Sequence, residues 1–92
     1  MIRSFRHAGL EKFFRTGSKA GIQAAHAGKL EIQLGTLNIA RVPADMDVPG
    51  WNLHRLKGNL VNHWSIKVNA NWRMTFTFDR EDAVLVDYQD YH

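Results

Sequence analysis

His63-Trp64-Ser65-Ile66-Lys67-Val68 and Trp72-Arg73-Met74-Thr75-Phe76-Thr77-Phe78 alternate bulky apolar side chains with polar or charged ones at every second position. A period of two puts the two classes on opposite faces of an extended strand. Val84, Val86 and Tyr88 repeat the pattern. The links between these runs, Asn69-Ala70-Asn71 and Asp79-Arg80-Glu81-Asp82, are polar and of hairpin length, so the spacing predicts an antiparallel meander. Trp51 to Lys57 is expected to add a fourth strand, shortened or bulged where Leu53 and Leu56 break the alternation.

Upstream the period lengthens. Ile2 and Phe5 bracket a short extended start. Leu10, Phe13 and Phe14 then share one helical face, and Gly17 is placed to end that helix. Ser18 is placed to cap a longer second helix, whose stripe runs through Ile22, Ala25, Ala27, Leu30, Leu34 and Leu37. Small residues from Ala24 to Gly28 would let it lie close to a neighbour. Arg41 to Gly50 holds Pro43 and Pro49 with Asp45 and Asp47, and reads as a surface connection. One face of the meander is apolar and must be covered by the two helices, while the other is polar and cationic. The expected fold class is therefore α+β, with two N-terminal helices packed on one face of a small, mainly antiparallel, twisted sheet.

The chain has 92 residues and no cysteine. That length suits one domain, residues 1–92, which buries roughly 60 to 65% of its unfolded surface. Without cysteine there is neither a disulfide framework nor a thiolate metal site, and a reducing cytoplasm is the natural compartment. The first residues lack the apolar run of a signal peptide, and no segment approaches the roughly 18 apolar residues of a membrane span. The formal charge of +3 is modest, but five of the nine acids crowd into positions 79–90. The stretch between Asp47 and Asp79 is left without an acid and carries Arg55, Lys57, Lys67, Arg73, His54 and His63 among three tryptophans. Such a stretch suits an anion.

Leu53-His54-Arg55-Leu56-Lys57-Gly58, Asn71-Trp72-Arg73 and the closing Asp90-Tyr91-His92 resemble, in order and spacing, the motifs of HigB-type toxins of the RelE superfamily, from Ile2 to the last residue. Relatives often carry proline where Arg55 stands. The resemblance implies a RelE-like fold and a ribosome-dependent messenger RNA endoribonuclease that inhibits translation. It further implies a helix-turn-helix antitoxin of HigA type as partner, the ribosome with its 16S RNA at the A site, operator DNA reached only through the antitoxin, and no membrane.

Cleaving RNA through its own 2'-hydroxyl needs a base for that hydroxyl, positive charge on the phosphorane oxygens and an acid for the departing 5'-oxygen. On the residues alone, Arg73 reads as a planar phosphate clamp or as half of a cross-strand ion pair with a late acid. His54 reads as an acid or base, or as a hydrogen-bonded structural residue. The resemblance assigns His54, Arg73, Asp90, Tyr91 and His92 to the catalytic site and Lys57 to substrate contact, with the base and acid roles left open among them. Arg55, Lys67 and His63 are the further candidates for RNA contact, and His7 and His26 are expected to be solvated. No two histidines stand three or four residues apart, so neither metal nor cofactor is expected. Two other readings fit the same residues: a non-catalytic RNA-binding module, and a co-repressor subunit acting with a DNA-binding partner.

Overall fold

Leu10 and Phe13 are buried by a helix, α1 (Ala8–Thr16), whose ends are closed by the residues beside it. The structure is a computed structural model and describes residues 1–91. His7, expected to be solvated, instead caps α1, its Nδ1 accepting the Leu10 N–H at 2.9 Å. Gly17 sits at φ 80° and returns its own N–H to the Phe13 carbonyl, a left-handed stop that glycine adopts without strain.

The second helix begins later than its apolar stripe predicts. Ser18 caps no helix; Ala24–His26 make one 3-10 turn, and α2 runs Ala27–Ile39. The segment before it is laid flat against α1, where the backbones of Gly9 and Gly21 touch and a methyl on either would collide with the other. Close approach occurs there and not at Gly28, where a methyl would meet open space. From α2, Ala27, Leu30, Leu34 and Leu37 turn inward together with Gln33. The fully buried Gln33 amide donates to the Lys67 carbonyl at 2.8 Å. That carbonyl lies where the sheet register slips between Lys67 and Asn69, so a helix side chain occupies an acceptor beside the irregular ladder. The connection after α2 is anchored as well. Asp45 accepts the backbone N–H groups of Arg41 and Val42, and Met46 is fully buried.

Strands β1 (His54–Arg55), β2 (Trp64–Asn69), β3 (Trp72–Asp79) and β4 (Asp82–Asp90) lie in that order, and each neighbouring pair is antiparallel. The expected fourth strand shrinks to two residues because the chain kinks just before it: Asn52 takes φ 51°, and Trp51 is buried with its carbonyl accepting the Lys67 N–H at 2.7 Å. Ile2 and Phe5 bridge in parallel to Ala83 and Val86, so the extended start lies along β4. Leu10, Leu30, Leu34 and Leu37 pack with Ile66, Met74, Phe76 and Val86 in one buried cluster. This is the α+β arrangement expected, with one difference on the polar face. Ser65 and Thr75 are only 5% and 3% exposed, and the Thr77 hydroxyl donates to the Asn62 carbonyl at 2.8 Å. The 56–63 segment thus folds back onto that face instead of leaving it open. Among the described residues no helix is long and apolar enough to cross a membrane.

The glycine contacts give a paired expectation. Gly9→Ala forces two backbones apart and should cost about 2 kcal/mol, whereas Gly35→Ala, inside α2 with nothing within 4 Å of the added methyl, should gain about 0.5–1 kcal/mol. Urea unfolding of the two variants checks the pair; equal effects would mean that α1 and Gly21 do not touch.

Candidate active site

On the sheet face away from the helices, the register builds two rungs. His54 lies opposite Ser65, Ser65 opposite Thr75, and Thr75 opposite Asp87. One step along, Lys67 lies opposite Arg73, and Arg73 opposite Gln89. Two like charges directly across a strand pair destabilise a sheet, and no ion pair among the described residues offsets them. The ion pairs among the described residues are Met1–Asp82, Arg3–Asp82 and Arg15–Glu11, so Arg73 does not form the cross-strand pair that its sequence also allowed. Asp87 accepts the Gln89 side-chain amide at 2.6 Å and the Tyr88 N–H at 2.8 Å. The Arg73 guanidinium rests against its own turn, Nη1 donating to the Ala70 and Trp72 carbonyls at 2.7 and 3.1 Å.

Beside this rung opens a cleft of about 480 Å³ lined by Asn52, Leu53, His54, Leu56, Ser65, Arg73 and Tyr91. That volume is within the range of small-molecule sites. His54 is exposed, and its Nδ1 stands 3.3 Å from the Asn52 carbonyl. A carbonyl only accepts, so this bond exists when Nδ1 carries the hydrogen, and in the neutral ring Nε2 then holds the free lone pair. Tyr91 reaches the cleft from the end of β4, its N–H donating to the Asn71 carbonyl at 2.8 Å. Three expected site residues, from β1, β3 and the end of β4, therefore line one cavity, with Lys67 next to Arg73.

The remaining candidates are placed differently. Asp90 is exposed and pairs with Trp72, which by alternation puts it on the opposite side of β4 from Gln89 and Tyr91. His92 lies outside the described residues. Arg55 pairs with Trp64 and so leaves the strand opposite to His54; it donates to the Asn62 side-chain oxygen at 2.9 Å and lies 6.0 Å from the Trp64 ring centroid. Lys57 is exposed just before a 3-10 turn, Gly58–Leu60. Both His63 ring nitrogens are enclosed without a hydrogen-bond partner. Sequence reasoning passed over Asn52, Leu53, Leu56 and Ser65 as cleft residues, although Leu53 and Leu56 flank His54 out of the alternating phase, which is the signal that they line something other than the core.

Behind the cleft, on the helix side of the sheet, lies a second polar group. His26, expected to be solvated, is 6% exposed, and its Nδ1 is 2.5 Å from the Tyr88 hydroxyl, which also accepts the Gln23 N–H at 3.4 Å. Trp72 stacks on Tyr88 at 4.6 Å. Burial pushes the Tyr88 phenol above its ordinary pKa, with the Gln23 amide pulling the other way.

A separate cleft of about 400 Å³ between α1 and α2, lined chiefly by Phe13, Phe14, Leu34 and the glycines 17 and 35, holds only Lys19 and Glu31 as charges and lacks an imidazole. Among the described residues no group of three or more His, Asp or Glu side chains is placed to hold a metal ion.

Comparison with known proteins places the chain in a family. A family model described as the RelE-like toxin of the type II toxin-antitoxin system HigB matches residues 3–92. The chain is also similar to Endoribonuclease HigB of Proteus vulgaris, 38% identical over 92 residues that cover all of both chains. A match spanning the site strands, the helices and the chain end together leaves no part of the fold outside it: the chain belongs to the HigB-like family of RelE-like toxins of type II toxin-antitoxin systems.

Proposed function

We propose that the protein is a metal-independent endoribonuclease acting in the cytoplasm, which cuts messenger RNA in the ribosomal A site by attack of the 2'-hydroxyl on the adjacent phosphodiester. The observation that carries this reading is the Lys67–Arg73 rung: two cations paired across β2 and β3, neither of them ion-paired with an acid among the described residues, at the mouth of a cleft that holds an imidazole and a phenol. The name of the Proteus vulgaris relative, an endoribonuclease, supports it.

The chemistry follows from the groups present. His54 Nε2 takes the proton of the 2'-hydroxyl as the oxygen closes on phosphorus. Arg73 exchanges its carbonyl contacts for the non-bridging phosphoryl oxygens and, with Lys67, meets the charge that builds in the phosphorane. Tyr91, on the other wall, supplies a proton to the departing 5'-oxygen. The products are a 2',3'-cyclic phosphate and a 5'-hydroxyl, and no metal is required. Leu53 and Leu56 form apolar walls against a nucleobase. Lys57 and Arg55, on the exposed rim, face ribosomal RNA, whereas the enclosed ring nitrogens of His63 do not reach it. Outside the ribosome the protein is held by an antitoxin of HigA type, which links it indirectly to operator DNA.

Arg73→Ala should lower cleavage of ribosome-bound message by about 10²- to 10³-fold and abolish growth arrest, with unfolding free energy unchanged within about 1 kcal/mol because a like-charge pair is removed. Cleavage assays beside urea denaturation decide this; a variant that still cuts would remove Arg73 from the mechanism. The 5' fragments made by the wild type should resist 3'-adenylation until the cyclic phosphate is opened and the resulting terminal phosphate removed. Fragments that can be extended directly would rule out 2'-hydroxyl attack.

A further inference from the structure

We infer that His26 and Tyr88 form a positioning pair that sets the two walls of the cleft from behind the sheet. The inference rests on the nuclease reading for its kinetic consequence and on geometry for its substance.

The Tyr88 hydroxyl is held from two sides, by the Gln23 N–H and by His26 Nδ1, and both partners belong to the segment leading into α2. With the His26 tautomer that leaves Nδ1 unprotonated, the phenol donates to Nδ1 while accepting from Gln23, which uses it in both directions. A buried bond of this kind fixes a ring in one place, whereas purely apolar neighbours would let it slide. Trp72 stacks on that ring with an interplanar angle of 30°, and the edge of His26 meets Trp72 with centroids 5.5 Å apart. The rings of His7 and Tyr88 also meet edge-on.

The two strand-borne rings of the cluster, Trp72 and Tyr88, connect to the cleft through the backbone. The Trp72 and Ala70 carbonyls hold Arg73, so the plane of the Trp72 peptide decides where the guanidinium rests. Tyr88 pairs with Met74, its neighbour Gln89 pairs with Arg73, and two residues further on the Tyr91 N–H binds the Asn71 carbonyl. Moving Tyr88 therefore moves both Arg73 and Tyr91 relative to His54, which is carried on a different edge. In-line attack tolerates little misplacement: about 1 Å costs on the order of a hundredfold in rate. An all-apolar cluster would support the core equally well but would not fix this alignment.

The test compares Tyr88→Phe, His26→Ala and His26→Asn with Ile2→Ala, a core truncation bridged to Ala83 at the other end of β4. Cleavage is read on ribosomes programmed with a defined message, separating the rate at saturation from the half-saturating concentration. Tyr88→Phe and His26→Ala should slow cleavage at saturation at least about tenfold with half-saturation unchanged. His26→Asn, whose side-chain oxygen stands near the position of Nδ1, should recover most of the loss, and Ile2→Ala should lower the melting temperature while keeping the saturated rate. Independently of activity, the Tyr91 amide should exchange with solvent at least about tenfold faster in Tyr88→Phe than in wild type under conditions where both are fully folded. A saturated rate in Tyr88→Phe equal to wild type, a His26→Asn variant no better than His26→Ala, or unchanged Tyr91 exchange would overturn the inference. If wild type itself does not cleave, the nuclease reading fails, and the amide exchange still decides the positioning claim.

Discussion

The structure depends on the alternation of β3. Trp72, Met74 and Phe76 press into the helices, and their rigidity is what allows Arg73, Thr75 and Thr77 to be presented in fixed positions on the other face. Within this arrangement the Lys67–Arg73 rung is electrostatically costly and has no internal remedy among the described residues. A sheet tolerates such a pairing when an anion is its normal occupant. Helices, core and turns can then be understood as the support that keeps two cations side by side.

The cost is spread through the fold. Gln33 reaches from α2 to the carbonyl of Lys67, Trp51 takes the Lys67 N–H from the other side, and the His26–Tyr88 bond backs the strand beyond. The backbone of Lys67 is thus held through both its N–H and its carbonyl. Arg73 is held more loosely, through two carbonyls of its turn that a phosphate can replace.

Much of this was legible in the residues. The period of two across Trp64–Phe78 gave the meander, its faces and the side on which Arg73 lies, because strand alternation is a strict geometric rule. The motifs around His54 and Tyr91 located two further walls, though only the register could show that they meet Arg73 in one cleft. Other features depended on tertiary contacts that leave weak traces in sequence. The late start of α2 follows from the touching of Gly9 and Gly21, a contact between segments that no periodicity encodes. His26 and His7 read as solvated because a histidine's burial depends on partners, here Tyr88 and the Leu10 amide, that are remote or conformational. Asp90 sits on the same parity as Tyr88, which the alternation already implied, so its place beside Trp72 and away from Arg73 could have been anticipated.

The central claim is that one phosphodiester sits among Arg73, Lys67, His54 and Tyr91. The most direct measurement is a structure of the protein bound on the ribosome to a message carrying 2'-deoxyribose at the cleavage position, which halts the reaction before attack. The account predicts a non-bridging oxygen of that phosphate within about 3 Å of the Arg73 guanidinium, released from the Ala70 and Trp72 carbonyls, with the 2' carbon facing His54 Nε2. A phosphate seated elsewhere on the molecule, with Arg73 still bound to its own turn, would contradict it.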